Sequence, residues 1–351
     1  MPRFHHGYAA GQGVRIHPMT NLYGCYIGDW TKIGAFVEIQ DGVSSGQACK
    51  ISSHSFICAG VTIEDGRLGR ALTQRVSTAY PVHPISRNQL DLSQPDKIAI
   101  TLKPIDFHSI IIAAAMTSVD FCESNPNEAN AVNAIAPGII AEIAAVRRAQ
   151  VFYLSTDHVF DGTKSTAYNE SDTTRPINVY GASKLAGERH VLAASPDHLV
   201  VRTSWVFGPE RSAFPDWIIR QARDQNDLSL PDDKIGNPSY TRDLADWIFA
   251  LIRIGKSEVR PHRVPHLCNE DPCTWREWGQ YCIDTARHAK IPIRVRKISG
   301  IPLESVAAFR AKRPLNSALD TSCFTSITGI KPRNWRRAVR EFILQNSKKL
   351  S

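Results

Sequence analysis

Tyr180 and Lys184 stand four residues apart in Val179-Tyr180-Gly181-Ala182-Ser183-Lys184. On a helix that spacing puts both on one face. A phenol beside an ammonium is suited to proton donation, because the cation lowers the phenol pKa and can also hold a cofactor ribose. Ser155 and Thr156, in Leu154-Ser155-Thr156-Asp157-His158-Val159-Phe160-Asp161-Gly162, bring hydroxyls that can hydrogen-bond the same substrate oxygen. The chemistry is delivery of a proton to a carbonyl oxygen while hydride reaches the carbon from the other side. The chain has nine tyrosines, so one Tyr–Lys spacing carries little alone. The weight lies in three pieces occurring in order, the third being Val201-Arg202-Thr203-Ser204-Trp205-Val206-Phe207-Gly208.

Such residues need a scaffold that brings strand ends and helix starts together. Apolar runs at Val82–Ile85, Ser109–Ala114, Gln150–Leu154 and His198–Arg202 read as strands. Between and after them, Arg67–Val76, Asn127–Ala149, Val179–Ala194, Ala213–Arg223 and Thr241–Ile254 read as helices. The runs at 109–114 and 150–154 are almost wholly apolar, as strands buried on both faces are. This alternation predicts an α/β fold, a Rossmann-like doubly wound parallel sheet, with a smaller substrate-binding lobe. A glycine-rich turn at a helix N-terminus is the expected pyrophosphate site. Gly66 and Gly69 fit the last two glycines of such a turn, but its first position is Ile63, followed by Glu64 and Asp65. The first strand would then be Ile57–Thr62. At Ile85-Ser86-Arg87-Asn88 no acid is present to bind a ribose 2′-hydroxyl, and Arg87 can meet a 2′-phosphate. That favours NADPH over NADH.

The segments Ser155–Thr163, Asn178–Glu188 and Arg202–Val206, with Ile235–Leu244 and Arg313–Thr321, resemble the dTDP-4-dehydrorhamnose reductases, over essentially all of residues 66–351. The resemblance implies reduction of the 4-keto group of a dTDP-linked deoxysugar by NADPH or NADH. Thr156, Tyr180 and Lys184 would be the catalytic trio. Gly66, Leu68, Gly69, Arg87, Asp91, Leu92, Ala113, Ala114, Tyr180 and Lys184 would hold the cofactor. Thr117, Val119, Ser155, Trp205 and Asn237 would meet the substrate, Trp205 by packing on it, with 236–242 lining the pocket. No metal site is implied. One departure stands out: where such reductases carry Asn before a run of alanines, this chain has Ile112-Ala113-Ala114-Ala115-Met116. With Ile63 and Glu64, that departure favours a second reading: a catalytically impaired relative acting as a regulatory or binding subunit.

The first residues follow another rule. Positions 27, 33, 39, 45, 51, 57 and 63 are six apart, and all but Ser45 are isoleucine. The pattern resembles the hexapeptide-repeat acyltransferases, whose left-handed parallel β-helix uses three hexads per coil. Seven hexads make little more than two coils, fewer repeats than such folds need. The division expected is therefore a truncated repeat at 1–62 and a reductase at 63–351, its substrate lobe mainly at 205–330. A third reading, sugar acyl transfer with His54 as base, is opposed by the coil count.

Hydrophobic residues make up 42% of the 351 and charged residues 22%, as in a globular protein. The net charge of +8 suits polyanionic small molecules such as diphosphates. The basic residues are scattered and no nucleic-acid motif accompanies them, so neither nucleic acid nor a membrane is an expected partner. No apolar run reaches the ~18 residues of a membrane span, and residues 1–13 lack the apolar stretch of a secretion signal. The eight cysteines form no CxxC pair and read as reduced thiols of a cytoplasmic protein. A homo-oligomer is a further possibility.

Overall fold

The computed structural model describes residues 3–4, 9–16, 21–22, 25–33, 38–39, 44–45, 50–51, 56–57 and 67–350. Two compact units emerge, Met1–Gly66 with Glu210–Ser212, and Arg67–Pro209 with Ala213–Ser351.

In the first unit, two-residue strands pair in parallel within three sheets. Ile33 lies between Ile16 and Ile51, and Ile39 between Leu22 and Ile57. Like positions of the hexads therefore meet every third repeat. Leu22, Ile27 and Ile33 are buried. Phe56–Ile57 pairs with Glu38–Ile39, so Ile57 is not borrowed by the reductase sheet, contrary to the expectation for Ile57–Thr62. His54, residues 58–62, Ile63, Glu64 and Gly66 lie outside the described residues.

The second unit is built on a parallel sheet of Ser109–Ile112, Gln150–Thr156 and Leu199–Thr203, with Gln150–Thr156 in the middle. Every residue of that central strand is buried, which explains the apolar run Val151–Leu154. Helices Arg67–Val76, Val179–Ala194 and Thr241–Ile254 fall where the periodicity predicts. Val82–Ile85 is not a strand: residues 81–86 carry no regular structure. Two prolines, Pro81 and Pro84, remove the amide donors a ladder needs there.

Pro126–Val146 is long and apolar enough to cross a membrane, by length and composition alone, contrary to the expectation that no run would qualify. Half of its most apolar stretch is buried within the protein. Ala136, Ile140, Ala141 and Ala144 pack in one core with Val151, Tyr153 and Val200 of the sheet, as a core helix does. It contains a π-helical turn, Ala131–Ile135. Pro137 has no N–H to give the Asn133 carbonyl four residues back. Tyr153 Oη supplies the donor instead, at 2.5 Å.

The opposite core gathers Leu68, Leu72, Phe152, Leu154, Val201, Leu244 and Ile248. A separate core holds Phe207, Ile218, Tyr240, Trp278, Trp335 and Phe342. It forms the C-terminal lobe around helices Phe214–Asp224, Trp275–His288 and Trp335–Gln345.

Candidate active site

Thr156 ends the central strand, and Tyr180 opens the helix Val179–Ala194. That helix starts where it does because Asn178 caps it, Oδ1 accepting from the Gly181 amide at 2.8 Å. Asn178 Nδ2 donates to the Lys312 carbonyl at 2.8 Å and meets His158 Nδ1 at 3.1 Å. Glu123 adds a carboxylate on the Val179 amide at 3.0 Å, where the helix dipole favours negative charge. Gly181 is required by close approach: a Cβ there would stand 2.1 Å from the His158 carbonyl oxygen.

The strand end and helix start bring Thr156, Tyr180 and Lys184 together in a buried site, at 4%, 9% and 1% exposure. The Thr156 hydroxyl holds the Tyr180 phenol pKa down against the effect of burial. It also donates to Asp157 Oδ1 at 3.0 Å and accepts from the His158 amide at 3.2 Å. The His158 ring meets Tyr180 edge-on, centroids 5.4 Å apart. Burial raises the Tyr180 pKa above its ordinary value; Thr156 opposes this, and the charge of Asp157 adds to it.

Lys184 Nζ donates to the Leu154 carbonyl at 2.6 Å and lies 3.8 Å from the centre of the Tyr153 ring. Burial pulls its ammonium down to about 7, with Glu188 and Cys122 pulling the other way.

The other expected residues divide. Val119 packs against the cluster of Cys122, Ala129 and Tyr180, and Thr117 is exposed one residue before the Ser118 helix cap. Ala113 and Ala114 follow directly on the strand Ser109–Ile112. Trp205 takes a left-handed backbone, φ 41°. Its ring stacks on Trp278 at 5.5 Å and meets Trp275 edge-on at 5.9 Å.

Ser155 points the other way, as successive strand residues do. Its hydroxyl donates to Glu188 Oε1 at 2.5 Å, and Glu188 forms a buried pair with Arg202 at 2.7 Å. Asn237 has both ends of its amide engaged within the fold, by the Asn269 carbonyl at 3.0 Å and the Leu319 amide at 3.0 Å.

At the cofactor end Leu68 and Leu92 are core residues. Arg87 forms an exposed pair with Asp91 at 3.4 Å. Gly69 lies inside the first helix, and a Cβ there would meet nothing within 4 Å.

Sequence reasoning passed over Asn133. It is fully buried: Oδ1 accepts from the Met116 amide at 2.8 Å, and Nδ2 donates to the Met116 carbonyl and the Ser183 hydroxyl, each at 3.0 Å. It ties the segment after the alanine run to the helix that carries Tyr180 and Lys184. An asparagine in the otherwise apolar stretch 131–141 was the available signal.

Comparison with known proteins decides the family. A model described as the RmlD substrate binding domain matches residues 61–348. The chain belongs to this family. Among its RmlD-family relatives, the dTDP-4-dehydrorhamnose reductase of Aggregatibacter actinomycetemcomitans is 32% identical over 283 residues, covering 80% of this chain and 96% of that one. The enzyme of that name from Shigella flexneri is 34% identical, covering 72% and 84%. The crystal structure of dTDP-4-dehydrorhamnose reductase from Bacillus anthracis in complex with NADP superposes with a TM-score of 0.73 at 28% identity, covering 80% of this chain and 96% of that one. The RmlD-family match begins at residue 61, close to where the six-residue period ends.

Proposed function

We propose that the chain reduces the 4-keto group of dTDP-4-dehydro-L-rhamnose to give dTDP-L-rhamnose, using NADPH. One observation carries the reading: Thr156, Tyr180 and Lys184 are buried together at the C-terminal end of the central strand, in a chain of the RmlD family. The C-terminal ends of parallel strands are where such sheets bind ligands.

The residues present fit a dinucleotide. Space is open over Gly69 in the first turn of the helix Arg67–Val76, where backbone amides favour phosphate. Gly66, Leu68 and Gly69 would hold the pyrophosphate, Arg87, Asp91 and Leu92 the adenosine end, and Ala113 and Ala114 the ring beyond the strand. Lys184 would hold the ribose. NADPH, when bound, supplies hydride to the sugar carbon. Tyr180 gives its phenolic proton to the ketone oxygen, and the Thr156 hydroxyl donates to that oxygen. Trp205 packs on the substrate, beside Thr117 and Val119.

Residues 1–62 form a truncated hexapeptide-repeat β-helix in this reading, supported by strand pairing every third hexad. Residues 63–351 form the reductase, its substrate lobe mainly at 205–330. The reading expects a cytoplasmic enzyme whose partner is a dTDP-sugar rather than nucleic acid or a membrane, with self-association open to measurement by sedimentation. The test of activity is loss of NADPH absorbance with dTDP-4-dehydro-L-rhamnose and recovery of dTDP-L-rhamnose. Purified, folded protein that gives neither refutes the reading.

A further inference from the structure

From Arg310 to Pro314 the chain is neither helix nor strand, so no ladder supplies its backbone bonds. Asp120 supplies them instead. Its Oδ1 accepts from the Arg310 amide at 2.8 Å, the Ala311 amide at 2.9 Å and Arg313 Nη1 at 3.3 Å. Its Oδ2 accepts from Arg313 Nη2 at 2.5 Å. These donors lie 190 to 193 positions away along the chain. Bonds to a charged acceptor are stronger than neutral ones, and Arg313 is buried to 9% exposure in making them. Arg313 also donates to the Ala311 carbonyl at 2.9 Å, and its guanidinium lies over the Phe309 ring, 3.7 Å from the centre. A second side chain holds the same segment: Asn178 Nδ2 donates to the Lys312 carbonyl.

The segment joins two sides of the candidate pocket. Asp120 belongs to the helix Val119–Ser124, one residue after Val119 and three after Thr117, both placed against the substrate above. At the other side the Phe309 ring meets Trp275 edge-on at 5.7 Å, and Trp275 meets Trp205 at 5.9 Å. The Asp120 side chain is 31% exposed and has no part in the proton or hydride transfer proposed above.

We propose that Asp120 is a positioning residue for the sugar nucleotide: it fastens residues 309–313 as a strap between the Thr117–Val119 wall and the aromatic wall around Trp205, and so holds the pocket to the substrate's width. The inference rests on the ketone reduction proposed above. Release of the strap leaves Asn178 bonded to the Gly181 amide, so the helix start and Tyr180 keep their place. A loosened wall weakens the hold on substrate and transition state alike, so the loss falls on KM rather than kcat.

The test compares the full chain with Asp120→Ala in kcat and KM for dTDP-4-dehydro-L-rhamnose, in the Kd of NADPH, and in the rate of tryptic cleavage after Arg310 and Lys312. Both of those side chains are exposed, but cleavage needs the backbone around them to come free. Alanine should raise KM about tenfold, the worth of about one hydrogen bond to a charged group. The kcat and the Kd of NADPH should stay within about twofold of the parent, while cleavage at 310 and 312, read from fragment masses, becomes faster. Parental KM overturns the inference and leaves the proposed function standing, and so does a raised KM with the strap cut no faster. Equal weakening of NADPH also overturns it, because Asp120 would then be a general prop of the fold. If alanine prevents folding, Asp120→Asn decides. Asparagine keeps an acceptor for the two amides but no charge for Arg313, and should raise KM severalfold; parental KM and cleavage rate overturn the inference. A parent chain with no turnover overturns the proposed function and this inference with it.

Discussion

At the scale of single residues, Tyr180 and Lys184 share a helix face but not an environment. The Tyr180 ring meets His158 edge-on, whereas Lys184 Nζ is turned to the Leu154 carbonyl and the Tyr153 ring. Tyr180→Phe removes the proposed acid and keeps the packing. Steady-state kinetics should show kcat lowered about 100- to 10,000-fold with KM little changed; near-parental turnover would end that assignment. Lys184→Met should weaken NADPH binding and also leave a mark on stability. The folded pKa of Lys184 is depressed to about 7 by burial, below the unfolded value of about 10.4. Between those values the unfolded chain binds the extra proton, so the stability of the parent rises with pH. Thermal melts should therefore show the parent gaining on Lys184→Met as pH increases from about 7 to about 10. Parallel curves for the two proteins would mean that the lysine is solvated.

At the scale of elements, two glycines make opposite demands. Gly187 lies where the helix Val179–Ala194 crosses the π-helical turn, and a Cβ there would stand 2.1 Å from the Asn133 carbonyl oxygen and 2.6 Å from Tyr153 Oη. Backbone cannot step aside as a side-chain tip can. Gly187→Ala should destabilise the fold by about 1–3 kcal/mol, read as a lowered denaturation midpoint. Gly69 faces open space within a helix. Gly69→Ala should stabilise the ligand-free protein by about 0.5–1 kcal/mol, yet weaken NADPH binding if the pyrophosphate sits over that turn. Unchanged affinity by titration calorimetry would remove Gly69 from the cofactor site. The helices were legible in the sequence because periodicity and caps are local: Asn178 before Val179, and Gly255 after Thr241–Ile254. The strand expected at 82–85 was not. Its apolar residues suit a strand, but the prolines decide what backbone bonds are available.

At the scale of the whole molecule, the chain joins two architectures with different repeats. Described strands of residues 1–57 pair only with one another, and the described reductase sheet runs from Ser109 to Thr203. A protein lacking residues 1–62 should therefore keep a cooperative thermal transition and NADPH-dependent turnover within severalfold of the full chain. Aggregation of that truncated protein, or loss of its transition, would show that the repeat completes the reductase fold.

The family, the helix Val179–Ala194 and the order of the three motifs were determined by sequence alone, because spacing along a helix and runs along a strand are properties of neighbouring residues. The sequence also identified Thr156, Tyr180 and Lys184 as the residues to bring together. Only the tertiary structure decided what each faces. It turned Ser155 to the Glu188–Arg202 pair, closed Asn237 on Asn269 and Leu319, and buried Lys234 against Ser317. Those partners lie tens of residues away along the chain, and their charges count so heavily because folding removes the water that would otherwise screen them.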